Sequence, residues 1–486
     1  MRSLGVTLAA PALRSATLLT LAIVALCLAA THEPVRAGAA FNLEEADANS
    51  STNTGQFNSI ALDSQGNPHV SYLELISANL RYATKQGGAW VVEVADGSPN
   101  SVGWHSAIAV DATDEPHIAY QDQTTIDLKY ATRASGAWTT ETVDGGPAPA
   151  SVGEYVSIAL DAQGDPHISY VDLYNGNLKY ATKSGGAWTI ETADATPWNV
   201  GYWNDIALDS NGNPHISHHD LAMGNLKYAR RVGGAWINET VRDTPDAEGW
   251  HSSIAIDGLS NVHISFYNYG DPNEEFPTAG NLEYAVRVNG AWTFETADAS
   301  PNDVGSGSAI ALDATNVPHV AYFDATLLDV NYARRAPAGW EIGVVDGSSN
   351  FTGQFVSIAV DAASRPHVSY FDLTKADLRY AVGAGATGVA PALDADRFVR
   401  VLPNPARGDR VEITFRVGDA LDADVAIYDV TGRRVKSIAP GARLAGVRSI
   451  TWDGRAASGE IVGAGVYFVR VSSGARSETE RLTILR

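Results

Sequence analysis

Residues 59–72 read SIALDSQGNPHVSY, two short apolar segments joined by a tight turn at 63–67. Two further segments follow at 79–83 and 88–96. We name the four segments A, B, C and D in chain order. All are short, rich in β-forming residues and bounded by Gly, Pro, Asn or Asp, as strands separated by turns are. Each ABCD unit therefore predicts a small four-stranded sheet.

The ABCD unit recurs along the chain, and the histidine of segment B marks each copy. The seven copies lie 48 to 56 residues apart, at His69, His117, His167, His215, His263, His319 and His367. The seventh unit lacks segment D, whereas residues 40–47 align with the D segment at 291–298. Strands from both ends of the chain would then complete one sheet and leave no open edge. We predict an all-β fold with a seven-bladed β-propeller at 40–382, closed by the N-terminal strand.

The turn between segments A and B has the pattern Asp-x-x-Gly-Asn, as at 209–213. In this turn the repeat resembles NHL-type bacterial propeller blades. The second half of the unit, with its Leu-Lys-Tyr-Ala and Gly-Ala-Trp motifs, departs from the NHL pattern and is more similar to repeats of secreted bacterial proteins. The resemblance implies the architecture and says little about function.

The N-terminus has the features of an export signal. Arg2 and Arg14 precede an apolar run at 18–30, and Ala37-Gly38-Ala39 offers an A-x-A cleavage site. We predict a signal peptide at 1–39, with an uncleaved anchor as the alternative, and a secreted, extracellular or outer-membrane-surface location. The single cysteine, Cys27, lies inside this segment. Disulfides and thiol catalysis are therefore excluded for the mature protein.

The C-terminal part differs in composition. Residues 383–397 are rich in Gly, Ala and Pro and predict a linker. Alternating apolar residues then predict a small Ig-like β-sandwich at 398–486. The matching motifs are Pro403-Asn404-Pro405, YDVTGR at 428–433, WDG at 452–454, GVYFV at 465–469 and the basic end at 481–486.

In these motifs the region resembles the type A C-terminal sorting domain of the type IX secretion system. It also resembles the Ig-like domain of flagellar-hook capping proteins. The first resemblance implies that residues 398–486 engage the outer-membrane secretion machinery. A plain Ig-like accessory module is the alternative.

Charge and repetition exclude several functions. With 34 Lys and Arg against 56 Asp and Glu, the net charge is −22, which disfavours binding to nucleic acid. A catalytic or metal-binding residue is needed once, so a histidine or aspartate repeated in every unit indicates a structural role. We predict no cofactor; calcium at the repeated aspartates stays open, although the denser EF-hand pattern is missing. We expect a monomer.

Functional residues are expected where the repeat departs from its own pattern. Trp104, Trp198, Trp203 and Trp250 lie outside the repeated tryptophan set, between a D segment and the next A segment. The fifth B–C connection carries an insertion at 268–276. In a propeller, D–A and B–C loops share the face around the central channel. The candidate ligand-binding residues are Trp104, His105, Tyr155, Tyr202, Trp203, His218, His219, Asp220, Trp250, His251, Tyr269 and Asp271.

Three functions follow from this face. The leading hypothesis is a non-catalytic module that binds glycan or protein ligands, because aromatic rings bind flat apolar surfaces at low entropic cost. The second is a polysaccharide hydrolase or lyase, and the third is a structural envelope protein whose rings pack only against each other. A metal at His218 and His219 is disfavoured, because consecutive residues of a strand point to opposite faces.

Overall fold

The computed structural model describes residues 41–48, 53–134, 136–145, 151–196, 199–242, 248–269, 279–337, 339–383, 399–402, 406–407, 411–417, 423–438, 446–452, 454–473 and 476–485. The predicted signal peptide and all of the predicted linker except Gly383 lie outside these ranges. The described part is all-β. It contains no helix long and apolar enough to cross a membrane.

Up to residue 383, the described chain forms seven four-stranded antiparallel sheets, the building block of a propeller. In six of them the four strands follow one another in sequence. These six are sheet 1, β2 (Thr54–Leu62), β3 (Pro68–Glu74), β4 (Asn79–Gln86) and β5 (Ala89–Asp96); sheet 2, β6 (Val102–Val110), β7 (Pro116–Asp122), β8 (Asp127–Ala134) and β9 (Ala137–Asp144); sheet 3, β10 (Val152–Leu160), β11 (Pro166–Asp172), β12 (Asn177–Ser184) and β13 (Ala187–Asp194); sheet 4, β14 (Val200–Leu208), β15 (Pro214–Asp220), β16 (Asn225–Val232) and β17 (Ala235–Arg242); sheet 5, β18 (Trp250–Ile256), β19 (Val262–Asn268), β20 (Asn281–Val288) and β21 (Ala291–Asp298); and sheet 6, β22 (Val304–Leu312), β23 (Pro318–Asp324), β24 (Asp329–Ala336) and β25 (Gly339–Asp346).

Sheet 7 draws its strands from two distant parts of the chain. It contains β26 (Thr352–Val360), β27 (Pro366–Asp372) and β28 (Asp377–Gly383), and its fourth strand is β1 (Phe41–Asp47). Strand β1 runs antiparallel to β28, with Phe41 opposite Gly383. The last of these strands therefore ends one residue beyond the predicted boundary at 382.

The same contacts join sheet 7 to sheet 1 as join the other neighbouring sheets. Tyr72 donates a hydrogen bond to Asp47 Oδ2 at 2.7 Å, as Tyr120 does to the aspartate that ends sheet 1. Trp90 Nε1 donates to Glu44 Oε2 at 2.9 Å and packs edge-on against Tyr380. The inner strand β2 contacts both β6 and β26. Strand β1 thus supplies the carboxylates that accept hydrogen bonds from sheet 1.

Apolar clusters fill the spaces between neighbouring sheets. The cluster between sheets 7 and 1 includes Ile60, Val70, Tyr72 and Leu378, of which the last three are fully buried. Side chains alternate along each strand, so both faces of the B and C strands meet a neighbouring sheet. The B strands are accordingly buried along nearly their whole length.

The repeated histidine has the structural role that its repetition predicts. His319 Nδ1 lies 2.6 Å from the Tyr332 hydroxyl of the adjacent strand, and His319 Nε2 lies 3.5 Å from Asp313 Oδ2. Asp313 Oδ1 also accepts the turn amides of Thr315 and Val317. Burial lowers the pKa of His319 to about 4, so the imidazole is neutral at pH 7. An aspartate, a histidine and a tyrosine occupy the same positions in every sheet.

The C-terminal part forms two further sheets. One contains β29 (Val399–Leu402), β31 (Val411–Val417) and β34 (Gly446–Trp452); the other contains β30 (Ala406–Arg407), β36 (Arg476–Leu485), β35 (Gly465–Ser473), β32 (Ala423–Asp429) and β33 (Arg434–Ile438). Both contribute to one buried cluster that includes Phe415, Trp452, Val469 and Ile484. Two sheets around one apolar core make an Ig-like sandwich.

Candidate ligand-binding site

Each innermost strand of sheets 1 to 7 begins with a bulge. In β14, Gly201 has a φ of +98° and Trp203 a φ of +45°. The regular pairing with β15 is interrupted between Tyr202 and Asp205. A Cβ at Gly201 would lie 3.0 Å from the Leu178 Cα of the preceding sheet, so this close approach requires glycine. The residues with positive φ at the Trp203 position are Phe57, His105, Tyr155, Trp203, His251, Gly307 and Phe355.

Six of these seven residues carry rings, and the rings touch in succession. We call them the aromatic arc. The centroid distances are 4.5 Å for Phe355–Phe57, 4.6 Å for Phe57–His105, 5.1 Å for His105–Tyr155, 5.4 Å for Tyr155–Trp203 and 5.2 Å for Trp203–His251. All six side chains remain partly exposed. The arc stops at sheet 6, where Gly307 has no side chain.

The left-handed backbone at the arc is unfavourable for residues with a Cβ, by about 1 kcal/mol or more each. The next sheet holds it in place: Ser106 Oγ donates to the Phe57 carbonyl at 2.8 Å, and Ser252 Oγ to the Trp203 carbonyl at 3.0 Å. Gly307 adopts the same conformation without that cost. The rings are therefore present despite the backbone, which indicates that their side chains matter.

A second set of rings extends outward from the arc. Trp203 stacks on Trp250 at 4.6 Å, and Trp250 stacks on Tyr269 at 6.1 Å. We call these three residues the outer stack. Tyr269 is 41% exposed, and Trp250 Nε1 is buried with no hydrogen-bond partner among the described residues. Tyr269 is therefore the solvent-exposed end of the outer stack.

The histidines of this region are uncharged at neutral pH. Burial among the neighbouring rings lowers the pKa of His105 and of His251 to about 4. His219 is fully buried between Trp203 and Trp250, and burial lowers its pKa to about 4 as well. Its Nδ1 donates a hydrogen bond to the Glu248 carbonyl at 2.8 Å.

Two of the predicted site residues lie away from the arc. His218 is fully buried, and its Nε2 lies 3.1 Å from Asp194 Oδ2, which Lys227 also contacts at 2.7 Å. In most other sheets a tyrosine makes this inter-sheet contact, so His218 replaces that tyrosine. Asp220 Oδ1 accepts the turn amides of Ala222 and Met223. Both residues have partners within the protein that the ligand-binding prediction did not foresee.

The remaining predicted residues that the structure describes join the arc or flank it. Trp104 packs on Phe57 at 5.4 Å, and Tyr202 packs on Tyr155 at 5.5 Å. Trp198 and Asp271 lie outside the described residues. The D–A and B–C connections do meet, since the amide of Val102 donates to the Ala78 carbonyl at 2.9 Å.

Two carboxylates of the inner strands are absent from the sequence prediction. Asp205 lies where the other sheets have Ser or Ala, and accepts hydrogen bonds from Ser157, Ser253 and the Ile254 amide. Burial raises the pKa of Asp205 and also that of Glu154. Asp205 breaks the repeat, which is the property that singled out the tryptophans, whereas Glu154 occupies a position that varies from sheet to sheet. Within the described residues, no group of three or more His, Cys, Asp or Glu is arranged to hold a metal.

Residues 406–477 match the family model of the FlgD Ig-like domain. This agrees with the resemblance to flagellar-hook capping proteins. No curated protein matches the sequence of this chain.

Several solved structures resemble this chain, each with a TM-score under 0.5. One is PorZ from Porphyromonas gingivalis, described as an essential surface component of the type IX secretion system (15% identity, TM-score 0.43, covering 89% of this chain and 59% of that one). Another is the fucose-specific lectin of Aleuria aurantia (13%, 0.41, 65% and 98%). A third is the polysaccharide lyase Uly1 (8%, 0.47, 67% and 89%). The chain thus spans less than two thirds of PorZ, and its own function rests on its own residues.

Proposed function

We propose that this chain is a secreted or surface-displayed protein whose seven sheets form a closed propeller over 40–382. In this proposal the aromatic arc and the outer stack form a non-catalytic site for glycans. Strand β1 closes the ring, and the Ig-like domain at 398–486 directs export. The pairing of β1 with β28 and the contacts of Asp47 and Glu44 with sheet 1 support the closure.

The outer stack is the observation that carries the binding proposal. A pyranose ring places its C–H groups on an aromatic face and its hydroxyls toward solvent, and rigid rings lose little entropy on binding. Tyr269, Trp250 and Trp203 present stacked faces that end at the exposed Tyr269. Rings that served packing alone would have no need of this exposed member.

Glu154 favours a second candidate, a polysaccharide hydrolase or lyase. Burial raises the pKa of this carboxyl, which lies beside Tyr155 of the arc. A carboxyl pKa above the ordinary value is one property that a general acid requires. If this candidate holds, wild-type protein will shorten a bound polysaccharide and Glu154→Gln will bind it without shortening it.

A glycan array with the purified full chain tests the binding proposal. We expect saturable binding that Tyr269→Ala weakens about tenfold, the equivalent of one good stacking contact. Tyr174→Ala is the matched control, because Tyr174 is an exposed tyrosine, at 62%, in the B–C connection of sheet 3. Absence of binding by folded wild-type protein would contradict the proposal. Equal losses in both variants would remove the outer stack from the site.

A further inference from the structure

The aromatic arc lacks one side chain, at sheet 6. Six sheets place a ring at the left-handed position of the innermost strand, and Gly307 in β22 stands where the seventh would be. The preceding residue, Ser306, is also small, where sheets 4 and 5 have Tyr202 and Trp250. Sheet 6 therefore leaves a gap in the arc, and we call it the notch.

The space at the notch is open. A Cβ placed on Gly307 would have no described atom within 4 Å apart from those of its own chain neighbours. At the matching bulge glycines the reverse holds, since a Cβ on Gly305 would lie 2.7 Å from the Leu282 Cα. The strand itself is fixed, because Ser308 Oγ donates to the His251 carbonyl at 3.0 Å and approaches Ser265 Oγ at 3.1 Å. The backbone of sheet 6 is thus held like the others while its side-chain position stays empty.

The residues that flank the notch are uncharged. His251 of the arc precedes it and Phe355 of the arc follows it, and the lowered pKa of His251 keeps the imidazole neutral at pH 7. Ser306 and Gln354 add neutral polar groups on the neighbouring inner strands. The chain as a whole has a net charge of −22 and would repel a polyanion.

We infer that the notch is a subsite for one uncharged pyranose residue of the glycan, which takes the place of the missing ring between His251 and Phe355. This inference rests on the proposed function and narrows it to neutral sugars. A pyranose is close in size to a six-membered aromatic ring. The flanking rings would contact its apolar faces, and Ser306 and Gln354 would reach its hydroxyls.

The experiment fills the notch with the side chain that the other sheets carry. Gly307→Phe completes the arc at a backbone position where Phe57 and Phe355 are already accommodated. The probes are arrayed neutral and uronate-containing oligosaccharides, and the best wild-type hit is then titrated calorimetrically. We expect wild-type protein to prefer neutral oligosaccharides, and Gly307→Phe to weaken the hit about 100-fold, as a ring that blocks a subsite would.

Gly307→Ala is the matched control, because it adds a Cβ but leaves the notch open; its affinity is expected to stay within about threefold of wild type. Phe355→Leu provides a second test that does not depend on how Gly307→Phe folds, with an expected loss of about tenfold. If both Gly307→Phe and Phe355→Leu bound the glycan with wild-type affinity, the subsite would be overturned and the proposal of a glycan-binding module would stand. A preference for uronates or for aromatic peptides would overturn its neutral-sugar specificity. Absence of any glycan binding would overturn both proposals.

Discussion

The two ends of each innermost strand follow different rules. At the A–B turn, every sheet repeats one cluster of aspartate, histidine and tyrosine, such as Asp313, His319 and Tyr332. At the bulge, every sheet repeats one backbone conformation, but the side chain changes from Phe to His, Tyr, Trp and Gly. Identical side chains mark positions whose partners lie within the sheet. Varied side chains on an identical, unfavourable backbone mark positions where something other than folding chose the residue.

The largest expected effect is a loss of stability when the pH is lowered, because buried histidines lie at both ends of the innermost strands. His105, His219, His251 and His319 have a pKa of about 4 in the folded chain, against about 6.5 when unfolded. Between these values the unfolded chain binds more protons, so stability falls as the pH falls. We expect each histidine to remove about 2 kcal/mol from the free energy of unfolding between about pH 7.5 and pH 5, as measured by urea titration.

The double variant His105→Phe/His251→Phe isolates the part of this pH dependence that comes from the two histidines of the aromatic arc. Phenylalanine occupies the same position in sheets 1 and 7, so the rings still pack, but they no longer titrate. At about pH 5 this variant should retain roughly 4 kcal/mol that wild type loses, and at pH 7.5 the two should match. Parallel pH profiles would show that these imidazoles are not desolvated.

At the A–B turn the same exchange should be harmful at every pH. His319→Phe leaves the hydroxyl of Tyr332 and the carboxylate of Asp313 without the imidazole between them. We expect a loss of about 3 kcal/mol at pH 7.5, because the buried Tyr332 hydroxyl loses its hydrogen-bond partner and the phenyl ring does not replace the imidazole beside Asp313. Denaturant unfolding beside His105→Phe makes the comparison direct. An unchanged unfolding free energy in His319→Phe would show that the repeated cluster does not stabilise the fold.

The smallest effect is expected where glycine replaces a ring of the arc. His251→Gly loses ring contacts but relieves a φ of +52°, as Gly307 does in the next sheet. We expect the unfolding free energy at pH 7.5 to change by less than about 1 kcal/mol. Ile254→Gly in the same strand is the matched control; Ile254 is buried, and its loss should exceed about 3 kcal/mol. Similar losses of unfolding free energy in the two variants would show that the side chain at the bulge contributes to stability as much as one in the rest of the strand.

The sequence predicted most residues of the aromatic arc but not the backbone conformation that they share. It selected His105, Tyr155, Trp203 and His251 because they interrupt a repeat, and the structure brings their rings into contact. Their left-handed backbone could not be foreseen, since non-glycine residues seldom adopt it. The notch was likewise invisible, because a glycine among many gives no sign of facing open space.

The doublet His218 and His219 shows a second limit. Both break the pattern equally in the sequence, yet His218 substitutes for a tyrosine in the contact with Asp194, while His219 packs between two tryptophans. Glu154 and Asp205 were not predicted, because their burial depends on neighbouring sheets and leaves no local pattern in the sequence. Which partner a strand residue meets depends on the neighbouring sheet, and that sheet is about 50 residues away in the chain.

The sequence by itself determined the number of ABCD units, their four-strand content and the origin of the last strand at the N-terminus. These properties follow from local patterns of apolar residues and turns, which can be recognised because every unit repeats them. The tertiary structure alone decided that six rings form one continuous arc, that the arc is open at Gly307, and that the two histidines of the arc and the adjacent His219 are uncharged. Those properties arise from side chains of different sheets meeting, and from the loss of water that this contact causes.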